Sequence, residues 1–278
     1  MQAHFPSPAN AGNSIRLRGF TITTRKLPIL KAGPIEDMTD KLGINPPEMI
    51  FGDNLVAIEH ETSGWGIQFN AFDALDRVDK TGQSMLQVAY SKEWQRNREK
   101  VHEGIKEVVK PFDWSYSTDY KGTTTSSGPT FQPSETRIPL ELLKRPDPIK
   151  FFDDVVLYED ELADNGIAMF SVKVRVMPDR LLLLCRFFMR LDDVVFRIRD
   201  TRVFVEFGTG DVIREYIARE EKFDTVRRKL AITREDVPAL MRDSNRLSEL
   251  LPIVDGTLEH LNVLQPQGGG TASVAGAT

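Results

Sequence analysis

Between Lys150 and Glu220 the chain alternates apolar runs with turn signals so closely spaced that only one kind of sheet fits. Phe151 to Tyr158 leads to Asp164-Asn165-Gly166, and IAMFSVKVRVM leads to Pro178-Asp179. Arg180 to Arg190 then leads to Asp192-Asp193, and VVFRIRDTRVFVEF to Gly208–Asp211 ahead of VIREYIARE. Asn, Asp and Gly tolerate the left-handed backbone that tight turns require. A parallel crossover needs roughly a dozen residues or more, so these strands are antiparallel neighbours. The spacing predicts a meander of about five strands, within the usual range for one sheet. In the clearest of them Val172, Val174 and Val176 alternate with Lys173 and Arg175, the pattern of a half-buried strand. Arg180 to Arg190 is apolar on both faces, which predicts a central position. In the next strand Arg197, Arg199 and Asp200 are read toward one face.

The flanking regions read differently. Ile15 to Thr23 predicts one strand, with Phe20 and Ile22 on its second face. Pro34 suits the first turn of a helix through Leu42, and Glu36 and Asp37 lie near its positive end. Asn70 is a good N-cap for AFDALDRV, and Ser91 opens a polar helical stretch, SKEWQRNRE. TTTSSGPT (123–130) reads as a surface loop. After Lys222 the strand pattern ends, and DTVRRKL, REDVPALMRD and SNRLSELLP predict short helices. Helices segregated from an antiparallel sheet make the class α+β, an antiparallel meander flanked by short helices. The predicted organisation is one domain over 15–264, between a flexible segment at 1–14 and a disordered Gly/Ala/Ser/Thr tail at 265–278.

Composition narrows the function. Lys and Arg number 36 against 41 Asp and Glu, a net charge of −5, whereas a general nucleic-acid surface needs a basic surplus to displace phosphate counterions. No basic, apolar leader opens the chain, and the longest apolar run, Leu181 to Cys185, is too short to span a bilayer. The expectation is a cytoplasmic protein that binds neither membrane nor nucleic acid. The single cysteine, Cys185, cannot form an internal disulfide and reads as a buried, inert thiol. His4, His60, His102 and His260 lie singly, none at a zinc-binding spacing. Gly64-Trp65-Gly66 lacks the third glycine of a phosphate loop and reads as a tight turn into GIQFN. The acids of FFDDVVLYEDELAD lack calcium-loop spacing and read as strand ends with solvated faces. No metal or cofactor is expected. Trp65, Trp94 and Trp114 suit a core or an interface hot spot.

What remains is a set of long strings whose order no amphipathic rule requires: PPEMIFGDNL, GIQFNAFDAL, EVVKPFDWSYSTDYKGT, IKFFDDVVLYEDEL, SVKVRVMP, RFFMRLD, RDTR and REYIARE. None pairs a nucleophile with a base. In order and spacing they resemble the TIPRL family, TOR-signalling-pathway regulators that bind type 2A protein phosphatases. The resemblance runs from about Ile15 to Leu264. It implies an α+β fold and function by contact: a non-enzymatic regulator, monomeric on its own, that engages the C-terminal tail of type 2A phosphatase catalytic subunits. It further implies a modulating, inhibitory role in nutrient signalling, alongside the phosphatase-associated alpha-four protein.

Carried over residue by residue, the family's partner-binding positions fall on Asp73 in FNAFDAL, Ile138 before LELLKR, and Ile198 and Asp200 in RIRDTR. Ile198 stands where the family often has Met. Two carboxylates would meet basic groups and two aliphatic side chains would offer an apolar seat. Each acid also has a local reading: Asp73 favours the N-terminal turn of its own helix, worth roughly 0.3–1 kcal/mol, and Asp200 braces Arg202 in its own strand. Two other readings stand beside the regulator, a general scaffold or chaperone-like adaptor and an enzyme gathering His60 or His102 with carboxylates of shifted pKa.

Overall fold

A computed structural model describes residues 12–80, 116–162, 164–232 and 236–264, together with the backbone of 86–89 and 109–112. Among the described residues are two large antiparallel sheets, a two-stranded ribbon and six short helices, the first of them α1 (Ala32–Leu42), an α+β arrangement.

The first sheet belongs to the N-terminal half. Its order is β1 (Asn13–Leu17), β2 (Phe20–Arg25), β4 (Leu55–His60), β5 (Gly66–Asn70) and β8 (Thr123–Thr124). Ile15 to Thr23 is therefore a hairpin rather than one strand. Leu17 pairs with Phe20, and the two-residue turn holds Arg18 at φ 51° and Gly19 at φ 82°. Two successive left-handed residues make the turn whose twist matches that of its strands, and Arg-Gly is a weaker signal for it than Asn-Gly.

The second sheet has eight strands in the order β3 (Met49–Ile50), β10 (Phe151–Asp160), β11 (Gly166–Val176), β12 (Arg180–Leu191), β13 (Val195–Glu206), β14 (Asp211–Lys222), β15 (Ile253–Asn262) and β9 (Gln132–Pro133). β10 to β14 form the expected meander, with β12 between β11 and β13. The strand pattern does not end at Lys222: β15 returns after the helices and pairs with β14 along most of its length. A separate two-stranded ribbon joins β6 (Leu86–Ala89) to β7 (Val109–Phe112). The helical stretch expected from Ser91, and Trp94 and Trp114, lie outside the described residues.

Strand periodicity sorts the large sheet into two faces. Leu181, Leu183, Cys185, Phe187 and Met189 join Phe20, Ile22, Val56, Ile58, Ile67 and Phe69 of the small sheet in one core. Fully burying side chains of this size contributes roughly 1.5–3 kcal/mol each. The opposite face is capped twice. At one end α4 (Phe223–Ala231), α5 (Val237–Leu240) and α6 (Ser244–Leu250) set Val226, Leu230, Leu240 and Leu247 over Phe188, Phe196 and Ile198. At the other, Ile138 with Leu142 and Leu143 of α3 (Leu140–Lys144) covers Phe204 and Ile213.

Polar ties join the sheets. Asn54 accepts a hydrogen bond from Leu27 N–H (2.5 Å) and donates to Val156 O (2.8 Å). Asp153 accepts from the Thr24 hydroxyl and from Lys26 Nζ, both at 2.5 Å. Asp160 accepts from the backbone of Glu48 and Leu162. Asp153 and Asp160 are thus buried anchors and not the solvated strand ends expected from the string FFDDVVLYED. Burying a carboxylate is costly unless it is paired in this way.

Candidate functional site

The most position-specific string of the sequence resolves into a strap. Residues 116–124 run between the sheets and fasten to four elements. Tyr158 donates its hydroxyl to Tyr116 O (3.0 Å), and Arg197 donates to Ser117 Oγ (3.3 Å). Thr118 donates to Ala74 O (2.8 Å), in α2 (Ala71–Asp76). Tyr120 O accepts from Thr201 (3.2 Å), and Lys121 O from Arg214 (3.2 Å). At Gly122, φ is 90° and a Cβ would come within 2.7–2.8 Å of the Ile67 and Phe69 side chains. Only glycine lets the strap pass so close to β5.

Asp73 is tied to this strap. It is the third residue of α2, where its N–H donates to the N-cap Asn70 Oδ1 (2.8 Å). Its carboxylate accepts from Asn70 Nδ2 (2.8 Å) and from Thr123 Oγ1 (2.5 Å). The reciprocal bonds resemble a capping box, extended by one link to β8. Thr123 Oγ1 also lies 2.8 Å from the Tyr120 hydroxyl, which donates to Gln68 O.

Asp200 points the other way. The unbroken register of β12 and β13 puts Arg197, Arg199 and Thr201 on the strap side and Ile198, Asp200 and Arg202 on the helical side, so Asp200 does not share a face with Arg197 and Arg199. Asp200 is 1% exposed. Arg186 grips it with Nε and Nη2, each at 2.7 Å, while Arg202 stands at 3.4 Å. The remaining Arg186 nitrogen reaches Asn245 Oδ1 (2.8 Å) and Ser244 Oγ (3.3 Å) at the start of α6. Asp200 therefore fastens the helical cap through Arg186, beyond bracing Arg202. Ile198 is 0% exposed beneath the same cap. Ile138 is buried on Phe204 and Ile213, and its N–H donates to Glu215 Oε1 (3.0 Å). The four sequence-derived positions thus divide three to one, with Ile138, Ile198 and Asp200 on the helical side of the large sheet and Asp73 in α2, tied to the strap through Thr123.

Sequence reasoning missed the polar row beside the strap. Glu220 takes hydrogen bonds from Arg197 Nε (2.7 Å) and Arg199 Nη2 (3.0 Å). Burial raises the Glu220 carboxyl, but the two arginines outweigh it and hold it below its ordinary value. Next along β14, Tyr216 carries Lys121 Nζ 4.9 Å from its ring centre, and that ammonium donates to Thr257 Oγ1 (2.9 Å). The signal was the Arg-x-Arg alternation of RIRDTR facing REYIARE, legible only once their register is known.

His60 gathers with Glu59 and Glu61 around an open depression of about 470 Å³. Its Nδ1 sits 2.9 Å from Ser63 Oγ, which also accepts from Trp65 N–H. Those bonds shape the turn that Gly64 completes at φ 69°. Burial lowers the His60 pKa, opposed by Glu61. Among the described residues no group of three or more His, Cys, Asp or Glu is placed to hold a metal ion. Nor is any described helix long and apolar enough to cross a membrane.

The model of the TIP41-like family matches residues 49–227. A TIP41-like protein of Rattus norvegicus is 43% identical over 243 residues, covering 86% of each chain. The chain belongs to the TIP41-like family. The type 2A phosphatase activator TIP41 of Saccharomyces cerevisiae is 40% identical over 264 residues, 89% of this chain and 74% of the relative. The type 2A phosphatase activator tip41 of Schizosaccharomyces pombe is 34% identical over 243 residues, 87% of this chain and 95% of the relative. The family resemblance read from the strings is thereby established. The TIP41-like match spans the strap, Asp73, Asp200 and the Arg197–Glu220 row, and stops short of β15.

Proposed function

We propose that this TIP41-like chain is a non-enzymatic regulator that binds the catalytic subunit of type 2A protein phosphatases through the subunit's C-terminal tail. It acts in the cytoplasm, in TOR nutrient signalling, with the phosphatase-associated alpha-four protein as a further partner. The observation that carries this reading is similarity, over 89% and 87% of this chain, to two fungal proteins named as type 2A phosphatase activators. The strap supports contact over catalysis, because its Thr118, Tyr120 and Thr123 hydroxyls are spent on internal hydrogen bonds. Asp73, partly exposed, serves as a direct contact; Ile138, Ile198 and Asp200 set the shape of the helical face from beneath.

The sign proposed from the sequence is inhibition, while the fungal relatives carry the name activator. Phosphate release by a purified type 2A catalytic subunit, measured with increasing amounts of this chain, separates them. A saturable fall is the expected result; a saturable rise reverses the sign, and no change at any concentration opposes direct regulation. The adaptor reading is favoured instead by binding without any change in rate.

A further inference from the structure

Among the described residues, half of β15 is an open sheet edge. On its outer side β9 pairs only with Glu259 and His260, and Ser134 N–H donates to Leu258 O. Gly256 and Leu258 thus turn their backbone groups outward, a bulge shifts the phase before Ile253, and none of the described residues pairs with Ile253 to Thr257 on that side. Gly256 N–H shows the vacancy: it is held by its own neighbour, the Asp255 carboxylate, at 2.8 Å. Ile253 and Val254 are 58% and 57% exposed. Folded proteins usually guard such an edge with lysine, proline or a covering segment, because unpaired N–H and C=O groups recruit another strand. Here a bulge at Ala218/Arg219 is the only irregularity along the β14–β15 pairing.

A tyrosine lies beside this edge. Tyr216 pairs in register with Thr257, one pair from Ala218 and Asp255 across Ile217 and Gly256. It is 3% exposed overall, and its hydroxyl reaches solvent and makes no hydrogen bond among the described residues. Burial pushes that hydroxyl up to about 12; Arg199 opposes the rise, and the nearby Asp119 and Asp255 add to it. The cations of the neighbourhood are already engaged. Lys121 is bound to Thr257. Arg199 donates to Ile198 O, Arg219 O and Glu220. Asp119 is exposed and, like Asp255, forms no ion pair among the described residues.

We infer that Ile253–Thr257 takes an extended segment of the phosphatase partner as an added strand, with a Lys or Arg side chain of that segment seated against Asp119, Asp255 and Tyr216. The partner assignment rests on the proposed phosphatase reading; the edge and its chemistry do not. Strand addition supplies main-chain hydrogen bonds for affinity and a side-chain seat for selectivity. A second copy of this chain fits poorly. Antiparallel self-pairing centred on Asp255 sets two carboxylates opposite each other, which is destabilising. Centring it on Gly256 requires Leu258, whose carbonyl Ser134 already occupies.

The test is hydrogen exchange on the full chain, alone and saturated with a purified type 2A catalytic subunit, paired with titration of the Asp119→Lys/Asp255→Lys variant. In the complex, amides within Ile253–Thr257 are expected to exchange at least roughly tenfold more slowly, and the variant, with an unchanged circular dichroism spectrum, to bind roughly tenfold more weakly or worse. A complex that leaves exchange at this edge unaltered overturns the strand addition while sparing the phosphatase reading. Wild-type affinity in the variant overturns the basic side-chain seat. Failure to form any complex overturns the phosphatase reading, and the partner named here with it.

Discussion

Arg186 and Asp200 face each other across β12 and β13 and share two hydrogen bonds of 2.7 Å in a nearly closed site. Taking both charges out of water is costly, and the fork geometry with the added Asn245 and Ser244 contacts offsets that cost. Removing one partner leaves the other charge buried and unpaired. Asp200→Ala is expected to lower stability by about 3–5 kcal/mol, measured by urea unfolding, with the helical cap loosened first in hydrogen exchange. An unfolding midpoint within error of the wild type contradicts this role.

The consequence for function is a separation of variants. Asp73→Ala removes a carboxylate from the first turn of α2 and the acceptor for Thr123, with an expected loss of roughly 1–2 kcal/mol. Its signature is faster hydrogen exchange in 116–124 with little change at α6. If exchange rises equally at both places, Asp73 and Asp200 do not belong to the separate supports described above.

Acid dissects the join between the sheets. Burial alone raises the Asp153 carboxyl, but hydrogen bonds from Lys26 and Thr24 outweigh it and hold it below its ordinary value. A carboxyl depressed in the folded state contributes stability that is present above its unfolded pKa, about 3.9, and is lost as pH falls through the lower folded value. The wild type is therefore expected to lose stability more steeply than Asp153→Asn as pH falls below about 4. Parallel curves for the two proteins in that window oppose the assignment.

Cys185 lies 1% exposed in the core between the sheets. Burial, aided by Asp200, pushes its thiol well above the ordinary range. A thiolate-directed reagent at pH 8 is expected to label Cys185 at the rate of global unfolding, because the native thiol is neither ionised nor accessible. Rapid labelling of the folded protein would contradict the burial.

Much of the fold is written in local patterns, and the rest is not, for identifiable reasons. The meander was legible because Val172 to Val176 alternate cleanly and short Asp/Asn/Gly turns separate the strands. β15 was not: its first half lies on an edge exposed to solvent, so Ile253-Val254-Asp255-Gly256-Thr257 carries no inside–outside alternation. The hairpin at Arg18-Gly19 was hidden because the alternation of Ile15, Leu17, Gly19 and Thr21 reads straight through the turn. The family strings disclosed Asp73 and Asp200 as special positions. Their physical roles depend on Thr123 lying 50 residues away and on the β12–β13 register, neither of which a linear pattern contains. Asp153 and Asp160 looked solvated for the same reason, since Thr24, Lys26 and the backbone of Glu48 arrive from the other end of the chain.

The phosphatase reading is tested most directly by calorimetric titration of this chain with a purified type 2A catalytic subunit, intact and lacking its C-terminal tail. The account predicts saturable binding to the intact subunit that is lost on truncation. No heat and no complex with the intact subunit would contradict it; equal binding to both forms would contradict the role of the tail.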